Sequence, residues 1–214
     1  MKIKVCGMKY TENIAALAEL QPDYMGMIFF EGSSRNFEGS PPDTDPSIEK
    51  IGVFVNEDLD VVLRKVGLYD LAGVQFHGDE DPSYCKSFKD AFSDSSSKKV
   101  IKAFSVGDDI DWSSLEKYLE VCDYLLFDAK GMKRGGNGIQ FDWELLKGYP
   151  FDKPFLISGG IGPEDILSLK DFFQTPGGKY CHAVDVNSGF EDSPGLKNID
   201  ALKQFIHELK TIER

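Results

Sequence analysis

Pro154-Phe155-Leu156-Ile157-Ser158-Gly159-Gly160-Ile161-Gly162-Pro163-Glu164 carries three structural instructions in a single short stretch. The apolar run reads as a buried strand, Ser-Gly-Gly as a tight turn, and Pro163 as the first residue of a helix. The same order of apolar run followed by a polar or glycine-rich cluster recurs along the chain. Val5-Cys6-Gly7 ends a run over 3–6, and Gln75-Phe76-His77-Gly78 ends one over 73–76. Phe127-Asp128 ends a run over 124–127, and Asp185-Val186-Asn187-Ser188-Gly189 ends one over 183–186. Runs over 24–29, 51–55 and 100–103, with 154–157, bring the strand candidates to eight.

Between the runs the apolar residues change period. Leu59, Val62, Leu63 and Val66 recur at helical spacing, as do Cys85, Phe88 and Phe92, and Leu115, Tyr118 and Leu119. Ile199, Leu202, Phe205, Ile206 and Leu209 form one stripe and predict a last helix. Strands alternating with helices imply parallel βαβ units. Eight of them predict an α/β fold, a single-domain (β/α)8 (TIM) barrel over residues 1–214. Such a barrel builds its site from the carboxyl ends of its strands, which is where the polar clusters fall. Residues 31–46 and 130–140 read as long loops and 94–99 as a polar surface bulge.

Composition narrows the function. A chain of 214 residues suits one well-cored domain. A formal net charge of −12 argues against a nucleic-acid partner, whose surface normally demands a basic patch. It leaves room for an anionic small molecule in a locally positive pocket. No apolar run approaches the ~20 residues of a membrane span, and no secretory apolar core is visible, so no membrane partner and a cytoplasmic location are expected. Cys6, Cys85, Cys122 and Cys181 are widely spaced without a CxxC pair, as suits free thiols in a reducing compartment. Three scattered histidines without an HExxH pattern give no reason to expect a metal or other cofactor.

Strand alternation sorts the candidate residues. Barrel strands point side chains in turn to the interior and to the helices. If Cys6 points inward, so does Lys4; Gln75 goes with His77, Leu126 with Asp128, and Ala183 with Asp185. A thiol on strand one and a carboxylate on strand six would then flank the mouth, able to act as base and acid. Position alone leaves other readings open. Cys6 can be a small buried hydrophobe, Asp128 a loop cap, Arg35 a solvated loop charge and His77 a structural histidine. The turns at Gly159-Gly160 and Ser188-Gly189 are more specific, because the loops after strands seven and eight often bind phosphate through backbone N–H groups.

Taken in order, the clusters resemble the phosphoribosylanthranilate isomerase family over essentially the whole chain. The matching segments are Lys4-Val5-Cys6-Gly7-Met8, Gly26-Met27-Ile28-Phe29 with Ser34-Arg35, Gly52-Val53-Phe54-Val55-Asn56 and Val74-Gln75-Phe76-His77-Gly78-Asp79-Glu80. Leu126-Phe127-Asp128, Gly135-Gly136-Asn137-Gly138 through Phe141-Asp142-Trp143, Ser158-Gly159-Gly160 and Val184-Asp185-Val186-Asn187-Ser188-Gly189-Phe190-Glu191 complete the set. The resemblance implies an Amadori rearrangement of N-(5′-phosphoribosyl)anthranilate to 1-(2-carboxyphenylamino)-1-deoxyribulose 5-phosphate, a step of tryptophan biosynthesis, with no cofactor. It implies Asp128 as general acid and Cys6 as general base. It also implies Arg35 on the anthranilate carboxylate, with Gln75, His77 and Asp185 on the substrate and Gly159, Gly160, Ser188 and Gly189 on its phosphate. A thiol base needs a nearby cation to form thiolate, and Lys4 is the candidate. Family members are monomers or homodimers. The rival readings are another phosphosugar barrel, such as a ribulose-phosphate epimerase or an indole-glycerol-phosphate synthase, and a barrel that binds phosphosugars without turnover.

Overall fold

The computed structural model describes residues 1–40, 43–92, 98–129 and 143–212. Its frame is a closed barrel of eight parallel strands hydrogen-bonded in chain order, the last returning to the first. They are β1 (Lys2–Val5), β2 (Tyr24–Ile28), β3 (Glu49–Phe54), β4 (Gly73–Phe76), β5 (Lys99–Val106), β6 (Tyr124–Ala129), β7 (Phe155–Ile157) and β8 (Cys181–Val186). The expected (β/α)8 architecture is therefore present. The predicted strand 73–76 coincides with β4, while β5 and β8 begin earlier than the apolar runs suggested.

Pairing register divides the side chains into two cores. Tyr24, Ile51, Ile101, Ala103, Leu126, Leu156 and Ala183 pack inside the barrel. Their strand neighbours Ile3, Val5, Met25, Phe54, Val74, Val100, Leu125, Phe127, Phe155 and Val184 belong to a second, larger cluster between strands and helices. A fully enclosed parallel strand is apolar on both faces, which is why the runs lack a polar alternation. Buried polar residues interrupt both faces: inside, Lys4 pairs in register with Asp185 and Gln75 with Ile101, while on the helix side Lys102 of β5 is buried against Glu80.

Among the described residues six α-helices cover the barrel: α1 (Thr11–Ala18), α2 (Leu59–Leu68), α3 (Pro82–Asp90), α4 (Trp112–Glu116), α5 (Ile166–Phe173) and α6 (Ile199–Lys210). Three starts are fixed by side-chain caps: Asp81 accepts from the Tyr84 N–H, Asp111 from the Ser113 N–H and Asn198 from the Ala201 N–H. The helix read as opening at Pro163 begins as a 3-10 turn, Pro163–Asp165, before α5 takes over. In the segment 31–46, turns replace any helix over the described residues. The loop 130–140 and most of 94–99 lie outside the described residues; Lys99 belongs to β5. A small antiparallel hairpin after β8 has no counterpart in the sequence reading. It is made by β9 (Glu191–Ser193) and β10 (Leu196–Lys197).

Candidate active site

Cys6 leaves β1 at the mouth of the barrel, with its N–H donating to the Val186 carbonyl of β8 at 2.9 Å. Its thiol lies over Gly26 of β2, where a Cβ would come within 2.7 Å of Sγ. Gly26 is thus the small residue that lets the thiol turn inward, and Cys6 is only 4% exposed. Directly below it, Lys4 Nζ donates to Asp185 Oδ2 at 2.8 Å, joining β1 to β8 inside the barrel. Burial works against the Lys4 charge, but Asp185 and Cys6 outweigh it and carry the ammonium above its ordinary pKa. Burial pushes the Asp185 carboxyl up, with Lys4 pulling it back. Asp185 Oδ1 is buried with no hydrogen-bond partner among the described residues.

The Lys4 ammonium was expected to draw the thiol toward thiolate. Lys4 does act in that direction, but burial is the larger effect and leaves the Cys6 thiol above its ordinary pKa. The ammonium is shared between the thiol and Asp185, whose own charge also pushes the thiol up.

Across the mouth, Asp128 sits near the end of β6, with Oδ2 3.3 Å from Nε2 of His77. Both side chains are about one-third exposed or less, at 27% and 31%, so they face the opening. Gln75, 1% exposed, lies beneath His77 with its amide nitrogen 2.9 Å from Nδ1. Donation by that amide makes Nδ1 the acceptor and leaves the proton on Nε2, aimed at Asp128. The three residues thus form one line from the barrel interior to the rim. His77 touches the candidate acid, and Gln75 reaches the mouth only through His77.

Arg35 comes from the loop after β2. Its Nε donates to Glu191 Oε1 and Oε2 at 2.9 and 3.0 Å, and its Nη2 to Oε2 at 2.6 Å. Bonding to Glu191 outweighs burial and raises the guanidinium pKa. The solvated reading of Arg35 is therefore wrong: the side chain is folded over Gly7, where a Cβ would meet Arg35 Cδ at 2.8 Å. Gly7 itself sits at φ +75°, a left-handed conformation costly for other residues.

Two glycines with positive φ, Gly159 at +92° and Gly160 at +70°, turn the chain after β7. Ser188–Phe190 forms a 3-10 turn after β8. These turns pack tightly together: a Cβ on Gly189 would lie 2.2 Å from the Ile161 carbonyl oxygen. The Gly162 N–H is already taken by Asp165 Oδ2 at 2.7 Å, so an anion here would be left to the preceding amides.

Sequence reasoning passed over Lys197. It is 2% exposed, and its Nζ donates to Glu191 Oε1 at 2.6 Å, Asn187 Oδ1 at 2.7 Å and the Asn187 carbonyl at 3.2 Å. Among the described residues no group of three or more His, Cys, Asp or Glu side chains is placed to hold a metal ion. The segment from Gly135 to Asp142 lies outside the described residues.

A model of the family described as N-(5'phosphoribosyl)anthranilate (PRA) isomerase matches residues 3–208. The N-(5'-phosphoribosyl)anthranilate isomerase of Phocaeicola vulgatus is 40% identical, over 98% of this chain and 98% of its own. That of Parabacteroides distasonis is 39% identical, over 98% and 93%. Among solved structures, the Thermus thermophilus phosphoribosyl anthranilate isomerase superposes with a TM-score of 0.82 over both whole chains at 24% identity, a likeness of fold. A phosphoribosyl anthranilate isomerase in complex with reduced 1-(o-carboxyphenylamino)-1-deoxyribulose 5-phosphate is 28% identical over 98% of each chain, with a TM-score of 0.76. The chain belongs to the N-(5'-phosphoribosyl)anthranilate isomerase family.

Proposed function

We propose that this single-domain isomerase of tryptophan biosynthesis divides its acid–base work between Cys6 on one rim of the barrel and Asp128 on the other. The observation that carries the reading is their environment. The thiol is buried beside a cation cluster, and the carboxyl is open to the mouth and held by His77. Protonated Asp128 gives its proton to the furanose ring oxygen. The bond from C1′ to that oxygen breaks, and the anthranilate nitrogen supplies the electrons for an iminium. Cys6, as thiolate, removes the C2′ proton, and the released pair forms the enolamine and neutralises the nitrogen. Tautomerisation then gives the ketone. The iminium charge favours thiolate at the moment it is needed, which suits a base whose resting pKa is high.

Arg35 presents a cationic edge to the anthranilate carboxylate, a match of fork to two oxygens. The turns at Gly159-Gly160 and Ser188-Gly189 hold the phosphate through backbone amides. Asp185 and Gln75 support Cys6 and His77 from inside the barrel, and His77 borders the substrate. The four free cysteines favour a reducing cytoplasm. A monomer and a homodimer are both compatible with the barrel, and sedimentation distinguishes them; a solved relative from Thermotoga maritima is described as dimeric.

The test follows loss of anthranilate-type fluorescence on freshly generated substrate. Cys6→Ala and Asp128→Asn should each lower kcat by ~10²–10⁴-fold, the usual weight of a general acid or base. Near-normal turnover in either variant removes that residue from its role.

A further inference from the structure

Lys197 stands at the junction of three things that the isomerase reading keeps separate. Its ammonium bonds Glu191, which forks onto Arg35. It also bonds both oxygens of Asn187, the residue that opens the turn of Ser188 and Gly189. Its main chain is clamped by Asn13 of α1, which donates to the Lys197 carbonyl and accepts from the Lys197 N–H at 2.9 and 2.8 Å. Asn187 and Arg35 both overhang Gly7, next to Cys6.

Charge arithmetic separates this from plain scaffolding. On the barrel side of Cys6, Lys4 and Asp185 cancel. On the hairpin side, Arg35 and Lys197 share the one carboxylate of Glu191, so by formal charge one positive is left over, with burial lowering the Lys197 pKa against the pull of Glu191. Glu191 is held below the ordinary carboxylate range: burial opposes its charge, but Arg35, Lys197 and the Gly195 N–H prevail. With Lys197 absent, Glu191 would neutralise Arg35 alone. The fork to Glu191 uses Nε and Nη2 of Arg35, so the Nη1 edge takes no part in it.

We propose that Lys197 is a positioning residue for the isomerisation. By sharing Glu191 it leaves the cluster at the Arg35 edge with net positive charge beside Cys6, and through Asn187 it fixes that edge relative to the phosphate turn. The two anionic ends of one substrate are thereby gripped by parts of a single network. The proposal rests on the substrate geometry inferred above. Among the described residues the charged groups acting on Cys6 include Lys4 from β1, Asp185 from β8, Arg35 from the loop after β2 and Lys197 from the hairpin.

The experiment compares wild type with Lys197→Met, Lys197→Arg, Glu191→Gln and, as a charge control, the exposed Lys203→Met of α6. Steady-state kinetics is run beside the pH dependence of Cys6 alkylation by iodoacetamide, read by peptide mass, which needs no turnover. Lys197→Met should raise KM roughly ten- to a hundredfold, the weight of one charge-assisted hydrogen bond. It should reduce kcat less and move the Cys6 alkylation midpoint to higher pH. Lys197→Arg should restore most of both, and Lys203→Met should match wild type. Glu191→Gln removes a carboxylate instead of a cation and should move the midpoint the opposite way.

The proposal is overturned if Lys197→Met lowers only the melting temperature while KM and the midpoint stay put. Midpoints that shift in the same direction in Lys197→Met and Glu191→Gln overturn it as well, and those two variants do not depend on equal stability. A wild type that fails to turn over substrate would instead refute the isomerase reading, with the alkylation series still deciding the charge network.

Discussion

Replacing Lys4 by Met tests the barrel interior and the base together. The side chain is fully buried, and its ammonium is the hydrogen-bonded partner of Asp185 Oδ2. Met conserves most of the volume, so the loss is electrostatic rather than a cavity. Breaking one partner of a buried pair costs about 3–5 kcal/mol, because the other charge is left unpaired. For a chain of this size, where each kcal/mol moves Tm by roughly 2–4 °C, the expected drop at neutral pH is on the order of 10 °C.

The pH dependence has a definite sign. In Lys4→Met, burial acts on Asp185 without its main opponent, so the folded-state pKa lies further above the unfolded value. A group raised on folding contributes stability that is full below the unfolded pKa and is lost as pH rises through the folded one. The deficit relative to wild type should therefore be smallest in acid, grow as pH rises through the raised Asp185 pKa, and then level off. Melting curves by circular dichroism across the acid-to-neutral range measure this. Adding Asp185→Leu should recover much of the stability, since an apolar pair can replace a buried ion pair at little cost. It should not recover turnover. A Lys4→Met protein within about 1 kcal/mol of wild type at neutral pH, or a deficit independent of pH, would refute the reasoning.

Three further outcomes follow from the same geometry. Cys6 should alkylate slowly at neutral pH and faster only as pH climbs beyond the range of a free thiol, because burial raises its pKa; a fast neutral reaction contradicts this. Gly7→Ala should cost about 1–2 kcal/mol for its left-handed backbone, and should raise KM by displacing Arg35 and Asn187. Thermal melts and kinetics would see the two effects separately. Gly189→Ala should force the turns after β7 and β8 apart at the Ile161 carbonyl and weaken competition by inorganic phosphate more than it alters kcat.

The barrel was legible because each enclosed strand is a short apolar run ending in polar residues, and because two-residue alternation marks the inward face. That alternation took Lys4 and Asp185 to the same interior from opposite ends of the sequence. The hairpin of β9 and β10 was not legible. Glu191-Asp192-Ser193 has no apolar alternation and is held by tertiary bonds to Arg35, Lys197 and Gly195. Lys197 reads as an ordinary surface lysine, since nothing local announces that Asn13 and Asn187 will enclose it. Arg35 failed in isolation for the same reason: its partner lies 156 positions away. The hint available was the Phe190-Glu191 pair at the end of the last strand cluster, an acidic residue directly after an apolar one beside a glycine turn.

The bond from Lys4 to Asp185 spans 181 positions, so it also sets an order of events. Until β8 has been synthesised, β1 carries an ammonium that has no carboxylate to enter the interior with. Closing the sheet over it earlier would bury an isolated charge, which water resists strongly. The seam between the first and last strands therefore brings both charges into the interior together. Contacts of such long range also slow closure. Cys6 sits on that seam, its N–H bonded to the Val186 carbonyl of β8, so the surroundings of the proposed base are complete only once the first and last strands join.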